Sequence, residues 1–571
     1  MIFFFKLLKL LTLREKKKLI YIFILLFINS AVELISIGSL LPLLTILLNE
    51  KFIFFGMDFS HYNQNITYIN LLIRVSIIVG LAFLIKNLFI FYFFTEQSRY
   101  ARDVQYRLSS NLFYNYLSQK YLFFANTNSA FLIRNMSSTA TLSIGLSSYV
   151  ILISEILICI LMIVYLCFLN FLPTLLSIIF FFFLFLLIYR SSRKKISTLG
   201  QLNLNYSGLI NKQYIHAFGL IKTIKIFNLE KVMSNFFNKL FFNSLYASYK
   251  LDLILQIPKL LVETIIIIFI CGIMIIMTVQ GKTSTEILLI ILVYAAVGLR
   301  FIPSTTRIIS AAQRIKTYTP AIINLFDEFI KTSFVTKTNK ENIIISSASE
   351  IRLENISHQF KDSQPILKDI NMRINKNQPI GIYGDSGSGK STLVNILSGL
   401  IIPSKGKIYI DDNYFDYKKN ICLKIGYVPQ DTQIFDDTIW NNVTFFQEKN
   451  KNNLDLFLDA VKKVNLYEYI YSPNNFLKED LLVGERGSKI SGGQAQRIGI
   501  ARALFLGSNI LIFDEVTSSL DRQNEKEIIK TIYSLKKDKI IIIISHNKDN
   551  LYSCDQIFEI KDMSILTKII K

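Results

Sequence analysis

The 571-residue sequence predicts two folds in one chain: an α-helical membrane half of six spans, then a soluble α/β half on a largely parallel sheet. Three observations lead there. Apolar runs long enough to cross a bilayer recur near 18–48, 68–96, 142–169, 171–190, 257–280 and 285–303. Charge-rich, turn-bearing sequence begins only after about residue 340. Beyond that point short β-branched runs at 379–383, 509–513 and 539–544 alternate with helix-forming stretches. A chain of this length exceeds one hydrophobic core. The predicted divisions are a membrane domain at 1–315, a linker rich in Lys, Asn, Ser and Thr at 316–349, and a soluble domain at 350–571.

In chain order, the first apolar run lacks a small-residue cleavage site and continues to about residue 48, so it reads as a retained span. Between Glu50 and Tyr68, Phe52, Phe54, Phe55, Phe59 and Tyr62 alternate with polar residues, as in an interfacial segment or an ordered loop. Only Asn170 to Pro173 separates the third span from the fourth, which predicts a tight outer hairpin. The polar, helix-forming stretches 97–141 and 191–256 extend the spans into the cytoplasm. Within them Thr127 to Arg134, with Ser129 as N-cap, and Leu209 to Phe218 read either as docking elements or as plain loop helices.

The net charge of +21 raises the question of nucleic acid, but its distribution answers it. Basic residues gather before the first span (Lys6, Lys9, Arg14, Lys16, Lys17, Lys18) and in the segments after the second and fourth. That is the positive-inside pattern, and it places both termini and the soluble domain in the cytoplasm, with no nucleic-acid partner required. The five cysteines, at 159, 167, 271, 422 and 554, form no CxxC pair, so neither a disulfide framework nor a metal site is expected.

The chemistry sits in the soluble half. Gly384, Asp385, Ser386, Gly387, Ser388, Gly389, Lys390, Ser391 and Thr392 link an apolar strand to a helix. Such a loop offers backbone N–H groups to phosphate oxygens, Lys390 adds a point charge, and the Ser391 hydroxyl can ligate Mg²⁺. ATP and Mg²⁺ are the expected ligands. About a hundred residues later come Ser491, Gly492, Gly493 and Gln494, and then Asp514 and Glu515 at the end of an apolar strand. Asp514 suits a carboxylate that holds the metal, and Glu515 one that orients or deprotonates the attacking water.

Together these residues resemble the ABC transporter family over nearly the whole chain. The resemblance implies a six-span exporter-type transmembrane domain followed by an α/β P-loop nucleotide-binding domain. It also implies roles: Phe360 stacks on adenine, and Gln430 reaches Mg²⁺ and the membrane interface. Ser491 to Gln494 complete the ATP site of the opposite subunit, Glu515 is the catalytic carboxylate, Asp521 belongs to the D-loop, and His546 contacts the γ-phosphate. Val483 to Gly487 are similar to an exporter segment that touches the coupling helices. Ile490, Ser519 and Asn547 depart from the commoner Leu, Ala and Arg without removing a catalytic group. One loop and one signature per chain then imply a dimer with two composite sites, a homodimer with a heterodimer as the alternative.

Ionisable residues inside spans are costly, so Lys86, Lys259, Arg300 and Arg307 become candidates for substrate contact. Arg300, Arg307 and Arg314 stand seven apart, a basic stripe along one helix face. Such a stripe suits a di- or polyanionic group, unless the side chains snorkel or pair with Glu33, Glu155 or Glu263. Short stretches, Glu33 to Pro42, Pro258-Lys259 and Arg300 to Arg307, are similar to the PglK-type flippases. That resemblance implies a polyprenyl-pyrophosphate-linked oligosaccharide as substrate at the bacterial inner membrane. The alternatives are a drug, lipid or peptide exporter, or an ATP-gated channel or regulator; intact Glu515 and His546 favour turnover over gating.

Overall fold

The computed structural model describes the chain apart from residues 1–5, 7, 50–52, 55–56, 59–67, 170, 339–342, 346, 361–363, 416–420, 471–479, 485–486, 519 and 570–571. Some further side chains, that of Lys259 among them, also lie outside the description. Two compact units emerge: Met1–Gln119 with Asn126–Thr336, and Lys337–Lys571 together with the short stretch Lys120–Ala125.

The first unit is all helix apart from a short antiparallel pairing of Ile53–Phe54 with Met57–Asp58. The helices of this half of the chain are α1 (Leu13–Gly38), α2 (Leu40–Asn49), α3 (Tyr68–Leu117), α4 (Tyr121–Asn126), α5 (Ser129–Ser138), α6 (Ala140–Leu169), α7 (Phe171–Gly219), α8 (Ile221–Ile226), α9 (Glu230–Val279) and α10 (Ser284–Thr338), of which α4 is grouped with the second unit. The apolar runs are helical, the first divided at Ser39 between α1 and α2. Among the described residues, the segments Leu13–Gly38, Ile69–Leu117 and Ser129–Phe168 have the length and hydropathy to cross a membrane. Thr12 starts α1 with a capping box: its hydroxyl accepts from Glu15 N–H, while the Glu15 carboxylate accepts from Thr12 N–H. α1, α3 and α6 pack together, and α7 lies against α9. Large side chains such as Ile77, Ile85 and Leu88 stay exposed on α3, as a lipid-facing surface requires.

Two local details differ from expectation. The cap of α5 is Asn128, whose side-chain oxygen accepts from Ala130 N–H at 2.9 Å, so Ser129 becomes the first helical residue. Asn caps at least as well as Ser and stands one residue earlier. The helix α10 runs unbroken to Thr338, through much of the polar 316–349 stretch, because Ile322, Leu325, Phe326 and Phe329 recur at helical spacing and are buried.

The second unit contains a six-stranded sheet and a smaller antiparallel one. Its strands and helices are β1 (Glu350–Gln359), β2 (Pro365–Asn375), β3 (Ile380–Gly384), α11 (Lys390–Leu397), β4 (Lys405–Ile410), β5 (Ile425–Val428), α12 (Ile439–Thr444), α13 (Lys451–Lys463), α14 (Gly492–Phe505), β6 (Ile510–Asp514), α15 (Arg522–Ser534), β7 (Ile540–Ser545), β8 (Gln556–Lys561) and β9 (Ser564–Ile569). The main sheet runs β5-β6-β7-β3-β8-β9, parallel except for the β8–β9 hairpin. β6 and β7 are almost wholly apolar and buried on both faces, as central parallel strands must be. The second sheet, β2-β1-β4 with Asn413–Tyr414 at its edge, is antiparallel and covers α11 through a shared core of Ile and Leu.

Candidate functional site

The nucleotide loop is set by where β3 ends. This strand is the fourth of the six-stranded sheet, so the loop leaves the carboxyl edge beside the ends of β6 and β7. Gly384 tolerates no side chain: a Cβ there would stand 2.8 Å from both the Ile560 carbonyl oxygen and Ser388 Oγ. Gly387 and Gly389 take φ values of +82° and +102°, open to glycine and strained for other residues. Gly389 precedes α11, whose first N–H groups are thereby aimed at the loop. Lys390, with 7% of its side chain exposed, donates to the carbonyl oxygens of Gly384 (2.7 Å) and Asp385 (2.9 Å). Burial lowers its pKa, against the pull of Glu515, Asp514 and Asp385. The Ser388 hydroxyl, out of solvent, finds no hydrogen-bond partner among the described residues. An N–H cradle, a largely desolvated cation and an unpaired hydroxyl fit a polyphosphate.

Around the loop the strand ends bring the acid–base groups together. Asp514 closes β6, and Glu515 turns away in the left-handed region (φ +51°) while its N–H donates to the Ile544 carbonyl at 3.0 Å. Non-glycine strain of this kind persists only where neighbours enforce it. His546, just after β7, places Nε2 2.6 Å from Glu515 Oε1, and Lys390 Nζ lies 3.9 Å from the same oxygen. Gln430 donates from Nε2 to Ser518 Oγ at 3.2 Å. Ser391, Asp514 and Gln430 thus offer a hydroxyl, a carboxylate and an amide oxygen, the hard donors Mg²⁺ prefers. No group of three His, Cys, Asp or Glu suited to a metal exists among the described residues, so phosphate oxygens would have to complete the shell. Phe360 follows β1, edge-on to His358 with centroids 4.8 Å apart, and stays 37% exposed.

The signature residues open α14. Ser491 Oγ accepts from Gln494 N–H (3.2 Å) and Gln494 Oε1 from Ser491 N–H (2.8 Å), a capping box. A Cβ on Gly493 would come 3.3 Å from Asn524 Oδ1, and Asn524 in turn donates to Asp521, the N-cap of α15. Signature and D-loop are therefore packed as one piece, while no hydrogen bond among the described residues ties them to the glycine loop of their own chain. Glu485, Arg486 and Ser519 lie outside the described residues.

Three contacts escaped the sequence reading. Tyr427 donates its hydroxyl to Asp514 Oδ2 at 2.9 Å; burial first, then the carboxylate, raise its pKa, so it stays a donor. Gln496 on α14 donates to the Gln430 carbonyl (2.7 Å) and accepts from Thr432 Oγ1 (2.8 Å), joining the Gln430 segment to the signature helix. Arg502 forks to Asn442 O, Asn442 Oδ1 and Gln433 O, with Phe435 and Phe445 over its guanidinium at 5.5 and 5.3 Å. Only the Tyr immediately before Val428-Pro429-Gln430 was visible as a motif neighbour.

The helical unit holds a separate cavity of about 620 Å³ between α1, α3, α6 and α10. Three of the predicted substrate residues, Lys86, Arg300 and Arg307, line it, and Lys259 lies on α9 with its side chain outside the description. The acid-pairing alternative holds for the two arginines: Arg300 is bound by Glu33 (NH2 to Oε2, 2.8 Å) and Arg307 by Glu155 (2.7 Å). Ser304 bridges the groups, accepting from Arg300 at 2.9 Å and donating to Glu155 at 2.7 Å. Lys86 instead sits over the Phe83 ring at 4.4 Å.

Residues 367–518 match the family model described as ABC transporter. The chain is 31% identical to an ATP-dependent lipid A-core flippase of Idiomarina loihiensis, covering 50% of this chain and 49% of that protein. It is 32% identical to a lactococcin-G-processing and transport ATP-binding protein of Lactococcus lactis, covering 62% and 50% respectively. The chain thus spans about half the length of these curated relatives. A solved bacterial Atm1-family ABC exporter with ATP bound shares its fold, with a TM-score of 0.73, 18% identity, and coverage of 96% of this chain and 94% of that one.

Proposed function

We propose that this chain, which belongs to the ABC transporter family, is one half of an ATP-driven exporter that turns over as a homodimer in the bacterial inner membrane. The glycine loop and the signature each occur once and, among the described residues, share no hydrogen bond within the chain, so a second copy supplies the missing half of each ATP site. Glu515, held by His546, orients the attacking water, and Lys390 and the loop N–H groups carry the phosphate charge. Bound Mg²⁺ would add charge neutralisation at the phosphates, held by Ser391, Asp514 and Gln430. The positive-inside loops support a cytoplasmic position for the nucleotide domains.

For cargo we take the finer reading, an amphipathic lipid-linked anion, a polyprenyl-pyrophosphate-linked oligosaccharide. One observation carries it: the cavity joins cationic side chains to an apolar wall that includes Ile90, Phe93, Phe94 and Ile151. The relatives include both a lipid A-core flippase and a lactococcin-G transporter, so the preference for a lipid over a peptide rests on the cavity alone. Reconstituted into liposomes, the protein should move such a glycolipid only with hydrolysable ATP. Glu515→Gln should bind ATP and lock as a dimer without turnover; a variant that still hydrolyses at the wild-type rate removes Glu515 from its role.

A further inference from the structure

The cavity between α1, α3, α6 and α10 has a charge count that its basic stripe conceals. Lys86, Arg300, Arg307 and Arg314 line it together with Glu33 and Glu155, four cations against two carboxylates. Both carboxylates are buried, with 4% and 5% of their side chains exposed. Each is consumed by an arginine, and Arg300 touches both, its NH2 also lying 3.3 Å from Glu155 Oε2. Lys86 and Arg314 have no acidic partner within salt-bridge distance among the described residues. Asn29, one helical turn before Glu33 and 5% exposed, lines the same wall with its amide oxygen unpaired. A buried polar atom with no partner is costly, and a ligand bearing hydroxyls would relieve it.

Resting on the exporter reading above, we infer that Glu33 and Glu155 set the charge the cargo must carry. They hold Arg300 and Arg307 as neutral pairs and leave Lys86 and Arg314 as the charge that selects a dianionic lipid head group, such as a pyrophosphate diester. In a low-dielectric cavity a dianion cancels that remainder, a phosphodiester leaves one cation unmatched, and a neutral head group leaves two. Free arginines would instead draw in anions of any higher charge. The carboxylates thus act as specificity-determining residues without touching the cargo.

The test uses the full chain in proteoliposomes and one polyprenol carrying one sugar through no phosphate, a phosphodiester or a pyrophosphate. ATPase stimulation is read as the concentration giving half-maximal response. Wild type should respond to the pyrophosphate at a concentration about tenfold lower than to the phosphodiester. Lys86→Gln with Arg314→Gln, which breaks no ion pair, should abolish that preference. Glu155→Gln should enlarge it, and Glu155→Gln with Arg307→Gln should return it to the wild-type ratio. Persistence of the preference in the Lys86/Arg314 variant overturns the inference even if Glu155→Gln fails to fold, as does an unchanged ratio in folded Glu155→Gln. Equal wild-type response to all three lipids overturns the charge rule but keeps the lipid cargo; no response to any of them overturns both.

Discussion

Replacing Tyr427 by phenylalanine removes a single hydroxyl, the one donated to Asp514 Oδ2 at 2.9 Å. The ring is half in water, 46% exposed, and its packing is left intact by the change. A hydrogen bond to a charged acceptor contributes roughly 1.5–3 kcal/mol when sheltered, so about 1 kcal/mol is a fair figure after solvent screening. Because that bond fixes one oxygen of Asp514, the other would be presented to a bound Mg²⁺ in a single orientation. Its loss should raise the Mg²⁺ concentration for half-maximal ATP hydrolysis by about fivefold, the equivalent of about 1 kcal/mol. The maximal rate at saturating Mg²⁺ should change little, since Glu515 and His546 are untouched. The assay is steady-state ATPase against free Mg²⁺ at fixed ATP. An unchanged or lowered Mg²⁺ requirement would show that Tyr427 competes with the metal or ignores it, and would refute the positioning role.

Gly384→Ala should abolish ATP binding in an equilibrium assay, because its Cβ would press to 2.8 Å on a backbone oxygen that β8 holds in place. Arg502→Lys keeps the charge but reaches one acceptor in place of three, stranding Asn442 and Gln433 groups. It should cost about 2–4 kcal/mol and lower the thermal unfolding midpoint while leaving the KM for ATP near wild type. Burial pulls the Asp411 carboxyl up, but Ser349 Oγ and the N–H groups of Ser349 and Glu350 outweigh it and hold its pKa down. Its stabilisation is present above the unfolded value of about 3.9 and lost as pH falls through the lower folded one, so Asp411→Ala should flatten the acid side of the stability profile.

The sequence made the nucleotide loop legible because its determinants are contiguous: apolar strand, glycines and helix follow without a break, and the predicted strands fall within a residue of β3, β6 and β7. The antiparallel sheet was not read, since its pairings depend on β1 meeting β4 across the whole glycine loop and α11. In the membrane half the arginines stood out as costly, but their neutralisation did not. Glu33 and Glu155 lie 267 and 152 residues from their partners, and sequence spacing carries no record of such meetings. Tyr427 was hidden for a similar reason, because its partner sits on the neighbouring strand, two residues beyond Ile512, which stands opposite it. The extension of α10 to Thr338 was obscured by composition: its polar face dominates the count, and only the periodicity of four apolar residues reveals a helix.

The ion-paired cluster also bears on how the chain is made. Glu33 lies in α1, whereas Arg300 follows 267 residues later and so leaves the ribosome after it. At about 5–20 residues per second the carboxylate waits roughly 10–50 s for its counter-charge. A lone carboxylate in the middle of a helix costs about 2.5–3.5 kcal/mol to place in the bilayer. Insertion of α1 is therefore provisional until the apolar run that carries Arg300 arrives. A protein halted during synthesis before Arg300 would carry an unmatched acid in lipid, a mark by which quality control could tell it from a finished one.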